Sequence, residues 1–262
     1  MDIATLSFFA NTRKNTPRDI HAYVIGTMKS GTTSLGRVLN SRYRTFHEAL
    51  PRQSCLQSAL FRQGKITLSD LKSYIELRDR YLNLELESSC FLLDWSDILV
   101  EQFPKAKFIL PIREPSSWLK SMINQEKSTN LSVKASYWKI LFDEYFKDND
   151  ARPEDKILLD QGVHSVSAYL KYWNHHHLKL INSIPEERLL ILRTDQINQR
   201  IEEISDFLSI PSESFEQQKI RQNRTKTYHI DASKDIDQTH IKDSIRTYCS
   251  DSLLKMFPEL YA

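Results

Sequence analysis

Between His21 and Asn40 a short apolar run, His21-Ala22-Tyr23-Val24-Ile25, meets a polar loop that opens at Gly26, and Leu35, Val38 and Leu39 then recur at helical spacing. The order predicts a strand, a loop, and a helix over Thr32 to Asn40. Glycine is scarce enough to make this loop conspicuous. The 262-residue chain holds 5 glycines, where average usage of about 7% gives about 18. Three of them, Gly26, Gly31 and Gly36, fall here. Glycines let backbone amides approach an anion, a helix N-terminus adds about half a positive charge, and Lys29 adds a full one. The hydroxyls of Ser30, Thr32 and Thr33 are further donors, so Gly26-Thr27-Met28-Lys29-Ser30-Gly31-Thr32-Thr33 predicts a polyphosphate-type anion site. The bland alternative is a tight turn with a capped helix and a surface lysine. Gly36, just inside the helix, reads as a packing residue.

The rest of the chain repeats the alternation. A second strand is expected at Arg44 to His47, a helix over Leu68 to Tyr81 after a cap-like Ser69, a helix from Asp97 to Phe103, and a buried strand from Lys107 to Ile112. Another helix opens at Glu114-Pro115, with proline near its favoured first turn. Helical, aromatic-rich patterns cover Ser128 to Phe146 and Ser165 to Ile184, a last strand covers Arg188 to Leu192, and an amphipathic stretch runs from Gln196 to Leu208. Residues 212–238 are polar and Thr239 to Phe257 suggests a terminal helix. Strands alternating with helices imply a central parallel sheet flanked by helices on both faces, with ligands at the carboxyl ends of the strands. The expected organisation is a lead-in over residues 1–19 and one α/β domain of phosphate-loop type over 20–262, with a helical elaboration in its second half.

Composition excludes several alternatives. With 36 Lys plus Arg against 34 Asp plus Glu, the net charge of +2 provides no global field for nucleic acid or an anionic membrane. Cys55, Cys90 and Cys249 are odd in number, far apart and without metal-ligand spacing, which points to free thiols in a reducing, cytoplasmic setting. No apolar run approaches the roughly 18 residues of a membrane helix, and the acidic start of the chain does not read as a signal peptide.

A nucleoside triphosphatase loop places Lys directly after its second Gly, followed by Ser or Thr for Mg²⁺. Here Lys29 stands two places before Gly31. A second motif follows the strand at 107–112: Arg113-Glu114-Pro115-Ser116-Ser117-Trp118-Leu119-Lys120-Ser121, with Ser121 eight positions after Arg113. An arginine fork suits a phosphate because it donates paired hydrogen bonds, and Ser121 would lie about two turns along the same helix. Together, in this order, the two motifs resemble the sulfotransferases that use 3′-phosphoadenosine 5′-phosphosulfate (PAPS). Lys29-Ser30-Gly31-Thr32-Thr33 looks like their 5′-phosphosulfate loop, and Arg113 with Ser121 like their 3′-phosphate site. Phe91 to Trp95 with Phe103 to Leu110, and Tyr172-Trp173 with Ile184 to Asp195, extend the likeness over roughly residues 20–210. The Arg-Lys-Gly adenosine segment of the hormone-type enzymes has no clear counterpart; Arg221, Asn223, Arg224 and Lys226 are candidates for that place, or a solvated basic loop.

The resemblance implies transfer of a sulfuryl group from PAPS to a hydroxyl or amine of a small-molecule acceptor, releasing adenosine 3′,5′-bisphosphate and requiring no metal. It implies that Lys29 stabilises charge on the departing phosphate oxygen and that a His or Glu near the first strands is the base. His47-Glu48, at the end of the second strand, are the candidates. Adjacent strand residues point oppositely, so one of the two faces the site unless the strand has ended. His47 has the pKa suited to neutral pH, Glu48 would need burial or a neighbour to raise its own, and a purely structural pair is the third possibility. His175-His176-His177 cannot converge on one ion, because successive helical positions fan out by about 100°, and they read as a solvated face. Asp94 and His164 read as capping or surface residues, with the acceptor pocket as the alternative. Tyr137, Trp138, Phe142, Tyr145 and Phe146 read as core and pocket wall together. Two other functions stay open: a phosphate-loop nucleotide kinase or triphosphatase, and a non-catalytic nucleotide-binding protein of the same fold.

Overall fold

The computed structural model describes residues 16–39, 42–130, 136–147, 150–216 and 236–260. Five strands, β1 (Ala22–Val24), β2 (Thr45–His47), β3 (Leu86–Ser88), β4 (Lys107–Ile112) and β5 (Leu189–Arg193), form one sheet in the order β2-β3-β1-β4-β5. Every pairing is parallel. Val24 stands beside Ser88 and Ile109, and Ser88 beside His47. The carboxyl ends of β1, β2 and β3 therefore finish on one row, and the loops that follow them share an edge of the sheet.

Side chains alternate along each strand and so supply two cores. Tyr23 and Ile25, with Phe108, Leu110 and Ile112, join the larger one. Ala22, Val24, Ile109, Leu190 and Leu192 join the smaller. The larger core is covered by α3 (Leu68–Leu82), α4 (Ser96–Gln102), α5 (Pro115–Asn130), α6 (Ser136–Tyr145), α8 (Val166–Ser183) and the terminal α10 (Gln238–Met256). The smaller lies under α1 (Thr32–Leu35) and α9 (Ile201–Leu208). The remaining described α-helices are α2 (Pro51–Arg62), which runs beside α6, and α7 (Lys156–Leu159). The expected α/β class, a parallel sheet flanked by helices on both faces, is the observed one. Among the described residues no helix is long and apolar enough to cross a membrane, and the three cysteines are buried and form no disulfide.

Several local expectations need correction. The first helix stops at Leu35 instead of Asn40, with Gly36 as its C-cap. Gly36 packs closely on β2 and β3, since a Cβ there would come within 2.7 Å of the Ser88 Cβ and 3.1 Å of the His47 Cβ, and beyond it Leu39 pairs with Phe215. The cap of α3 is Thr67, in a reciprocal box with Asp70, and not Ser69. The pattern expected over Ser128 to Phe146 divides between the end of α5 and α6. Helix α2 and strand β3 were not expected. Strand β3 reads Leu-Glu-Ser, yet all three residues are buried. Glu87 is tolerated there because buried Arg78 of α3 donates to its carboxylate and to the Ala49 carbonyl.

Candidate active site

Residues 25–31 leave β1 at the carboxyl edge and turn into α1. The turn needs left-handed backbone twice, at Lys29 (φ 65°) and at Gly31 (φ 104°). At Gly31 a Cβ would also meet Ile197 Cδ1 and Thr194 Cγ2 at 3.2 Å, so glycine is required on two counts. Buried Ser30 turns inward and its hydroxyl donates to the Thr27 carbonyl at 2.6 Å. The Thr33 hydroxyl lies 2.8 Å from His47 Nε2. The side-chain donors that the sequence suggested at Ser30 and Thr33 are thus engaged within the protein. What the loop offers is backbone: Gly31 brings no side-chain cap to α1, and among the described residues no protein acceptor takes the amides of Lys29, Gly31, Thr32 or Thr33. Since α1 is one turn long, these amides carry the local positive potential, not the summed dipole of a long helix.

A cavity of about 290 Å³ opens beside the loop, lined by Met28, Lys29, Thr32, Thr33, His47, Glu48, Gln125, Trp138 and Phe142. Lys29 Nζ donates to Gln125 Oε1 of α5 at 3.3 Å. Burial lowers the Lys29 ammonium from its ordinary value, the nearby Arg113 cation adds to this, and Glu48 opposes both. Trp138 stacks on Phe91, ring centroids 5.0 Å apart, and leans on Phe142. These two aromatics form an apolar wall opposite the polar groups. Tyr145 and Phe146 are buried in the core behind it, and the side chain of Tyr137 lies outside the described residues.

His47 and Glu48 both line this cavity. Alternation would have allowed one, but β2 ends at His47 and Glu48 turns left-handed at φ 56°. Parallel pairing exposes the Ser88 carbonyl to His47 Nδ1 at 3.1 Å. A carbonyl only accepts, so Nδ1 carries the proton, and Nε2 accepts from the Thr33 hydroxyl. Burial pushes His47 down from 6.5 to about 4; the Ser88 bond opposes this and Arg37 adds to it. Glu48 Oε1 lies 3.7 Å from His47 Nε2. Its carboxyl is raised above the ordinary 4.5 by burial, against a Cys90 thiol contact and the Lys29 charge. Burial thus moves the two groups in opposite directions, the imidazole down and the carboxyl up.

Arg113 follows β4 on the same edge but lies outside the lining of that cavity. Its Nε donates to Ser117 Oγ at 3.1 Å, its Nη1 reaches the Lys29 carbonyl at 3.5 Å, and its own carbonyl accepts from Trp173 Nε1 at 3.2 Å. Ser121, half-buried, sits one turn beyond Ser117 on α5. The arginine fork is thus beside the loop, tied to Ser117 and not to Ser121. Thr194, just after β5, was missed by sequence reasoning: its hydroxyl lies 2.6 Å from the Ser30 carbonyl. The Gly31 side of the loop packs on it, and an isolated threonine after a strand carries no sequence signal.

Other candidates fall elsewhere. His175 is exposed, but His176 and His177 are buried, the former against Tyr172 and the latter donating its Nδ1 proton to the Trp173 carbonyl. The solvated face expected for the histidine run is therefore wrong at two of its three positions. Asp94 is buried between Arg62 and the Tyr145 hydroxyl, and His164 Nδ1 lies 2.7 Å from buried Glu126. Arg221, Asn223, Arg224 and Lys226 lie outside the described residues. Among the described residues no group of three or more His, Cys, Asp or Glu converges as metal ligands would.

A strand, a left-handed amide loop with an embedded lysine, and a parallel sheet with its candidate groups on one edge define an α/β protein of phosphate-loop type. Family comparison makes the assignment particular: the sulfotransferase domain model matches residues 23–223, and the chain belongs to that family. A relative from Aspergillus versicolor, "Ava biosynthesis cluster protein M", is 28% identical over 160 residues, which span 55% of this chain and 56% of that protein. Among solved structures, a sulfotransferase from Alicyclobacillus acidocaldarius is similar at 13% identity and a TM-score of 0.49, over 87% of this chain and 94% of its own. One from Mycobacterium avium is similar at 12% identity and 0.47, over 90% and 77%.

Proposed function

We propose that the protein transfers a sulfuryl group from PAPS to a hydroxyl of a small-molecule acceptor, releasing adenosine 3′,5′-bisphosphate. The observation that carries this is the common cavity of Lys29 and the His47–Glu48 pair, beside a loop in which, among the described residues, the amides of Lys29, Gly31, Thr32 and Thr33 have no protein acceptor. The fit to the donor rests on those amides and on two half-buried cations, Lys29 and Arg113, both partly desolvated by burial. PAPS, when bound, supplies the sulfuryl group as an activated phosphosulfate.

The amides of Lys29, Gly31, Thr32 and Thr33 hold the 5′-phosphate, and the Gly26 to Thr33 loop is preorganised for it. Arg113 and Ser121 hold the 3′-phosphate, which requires Arg113 to exchange Ser117 for the ligand. Lys29 neutralises charge on the phosphate oxygen that departs. Glu48 takes the acceptor's proton: burial raises its carboxyl above the ordinary range, and it is less encumbered than His47, whose two ring nitrogens are engaged. His47 fixes Thr33 and the floor of the cavity. The apolar wall of Trp138 and Phe142 suits the carbon skeleton of a small acceptor, and the Aspergillus relative's place in a biosynthetic cluster supports a small molecule. Residues 20–262 are read as the one catalytic domain, working in the cytoplasm.

Calorimetry with adenosine 3′,5′-bisphosphate beside 5′-AMP tests the donor. Tighter binding of the bisphosphate is expected, and equal or absent affinity would remove Arg113 and Ser121 from the scheme. Screening acceptors with labelled donor then identifies the other substrate.

A further inference from the structure

Amides can face an anion only if their peptide planes are held, because a free loop peptide rotates between facing the ligand and facing away. In a trans peptide the carbonyl and the following N–H point in opposite directions. A carbonyl anchored outward therefore aims the next amide inward. Three carbonyls of the loop are anchored by side-chain donors at 2.7 Å or closer. Trp118 Nε1, from α5 and fully buried, donates to the Met28 carbonyl at 2.7 Å. Thr194 Oγ1 donates to the Ser30 carbonyl at 2.6 Å. Ser30 Oγ closes the third bond, on Thr27.

The peptides held by Trp118 and Thr194 are those whose N–H groups belong to Lys29 and Gly31, the two left-handed residues of the loop. Thr194 has a second oxygen nearby, the Ile112 carbonyl at 3.0 Å. Its single hydroxyl proton goes to the closer Ser30, since Ile112 already accepts the Thr194 amide at 2.8 Å. The methyl of Thr194 also fills the space against Gly31. One side chain after β5 and one on α5 thus clamp the loop.

We infer that Thr194 and Trp118 are positioning residues that fix the Ser30 and Met28 peptides so that the amides of Gly31 and Lys29 face the donor's 5′-phosphate. The inference rests on the reading of residues 26–33 as the 5′-phosphate loop. Each side chain acts through the backbone and touches no substrate.

The test compares, within each variant, the affinity for adenosine 3′,5′-bisphosphate with that for adenosine 3′-monophosphate, which lacks the group the clamp serves. The wild-type protein prefers the bisphosphate. Thr194→Val keeps the shape but removes the donor, and lowers that preference about tenfold; Thr194→Ser, which keeps the hydroxyl, restores it. Trp118→Phe lowers the preference in the same way. That variant melts lower because buried volume is lost, but a ratio of two ligands on one protein is insensitive to stability. A wild-type preference that survives intact in Thr194→Val and Trp118→Phe overturns the inference and leaves the loop reading standing. A wild-type protein that binds both ligands equally overturns the loop reading, and the inference with it.

Discussion

Replacing His47 by Asn should flatten the acid dependence of folding stability. Asparagine can still donate to the Ser88 carbonyl, which His47 Nδ1 meets at 3.1 Å, but it does not titrate. In the unfolded chain the ring protonates near 6.5, and in the folded protein only near 4. Between those values the unfolded state binds more protons, so stability rises with pH. The contribution is complete above pH 6.5 and is lost as pH falls toward 4. The side chain is 13% exposed, so little of this is screened. Over the full window the loss is about 3 kcal/mol, and from pH 7 to pH 5 about 2 kcal/mol. Burial depresses His176 and His177 in the same direction, so the wild-type protein has further acid sensitivity that the variant shares. Urea unfolding of both proteins at pH 7 and pH 5 isolates the difference. Equal losses in the two would refute the neutral, doubly engaged His47 and reopen its use as the base.

Glu48→Gln should lower kcat by roughly 10²–10⁴-fold with an acceptor found by labelled-donor screening, with a smaller effect for His47→Asn. The acid limb of kcat/KM should have its midpoint above 4.5, since burial raises Glu48; a limb near 4 that survives Glu48→Gln would assign the proton to His47. Arg113→Ala should weaken adenosine 3′,5′-bisphosphate about 10- to 100-fold in calorimetry while leaving 5′-AMP unchanged, and a parallel loss of both would show a general effect on the loop. Glu87→Ala strands the buried Arg78 charge and should cost about 3–5 kcal/mol in urea unfolding; a change under about 1 kcal/mol would mean that water reaches Arg78.

Long elements with strong patterns were legible in the sequence: β4, α3, α8 and α10 stand within a residue or two of expectation. Strand β3 was hidden because Glu87 reads as solvent-facing until Arg78, nine residues earlier and on another element, is placed against it. Helix α1 was overextended because Leu35, Val38 and Leu39 share one core whether or not they share one helix. Within the site, residue types and spacing located Lys29, the His47–Glu48 pair and Arg113. What spacing does not carry is hydrogen-bond direction. Ser30 and Thr33 are hydroxyls in the right place that face the protein, and Thr194, 164 residues from Ser30, is joined to it only by the fold.

Five described non-glycine residues have positive φ, and two of them are Lys29 and Glu48. A left-handed conformation costs an ordinary residue about 1–2 kcal/mol, and glycine almost nothing. Selection for fold stability alone would therefore pull both positions toward glycine, in a chain that uses glycine almost nowhere else. Mutational tolerance should split accordingly: a library sorted for folded protein accepts glycine at 29 and 48, and one sorted for turnover rejects it.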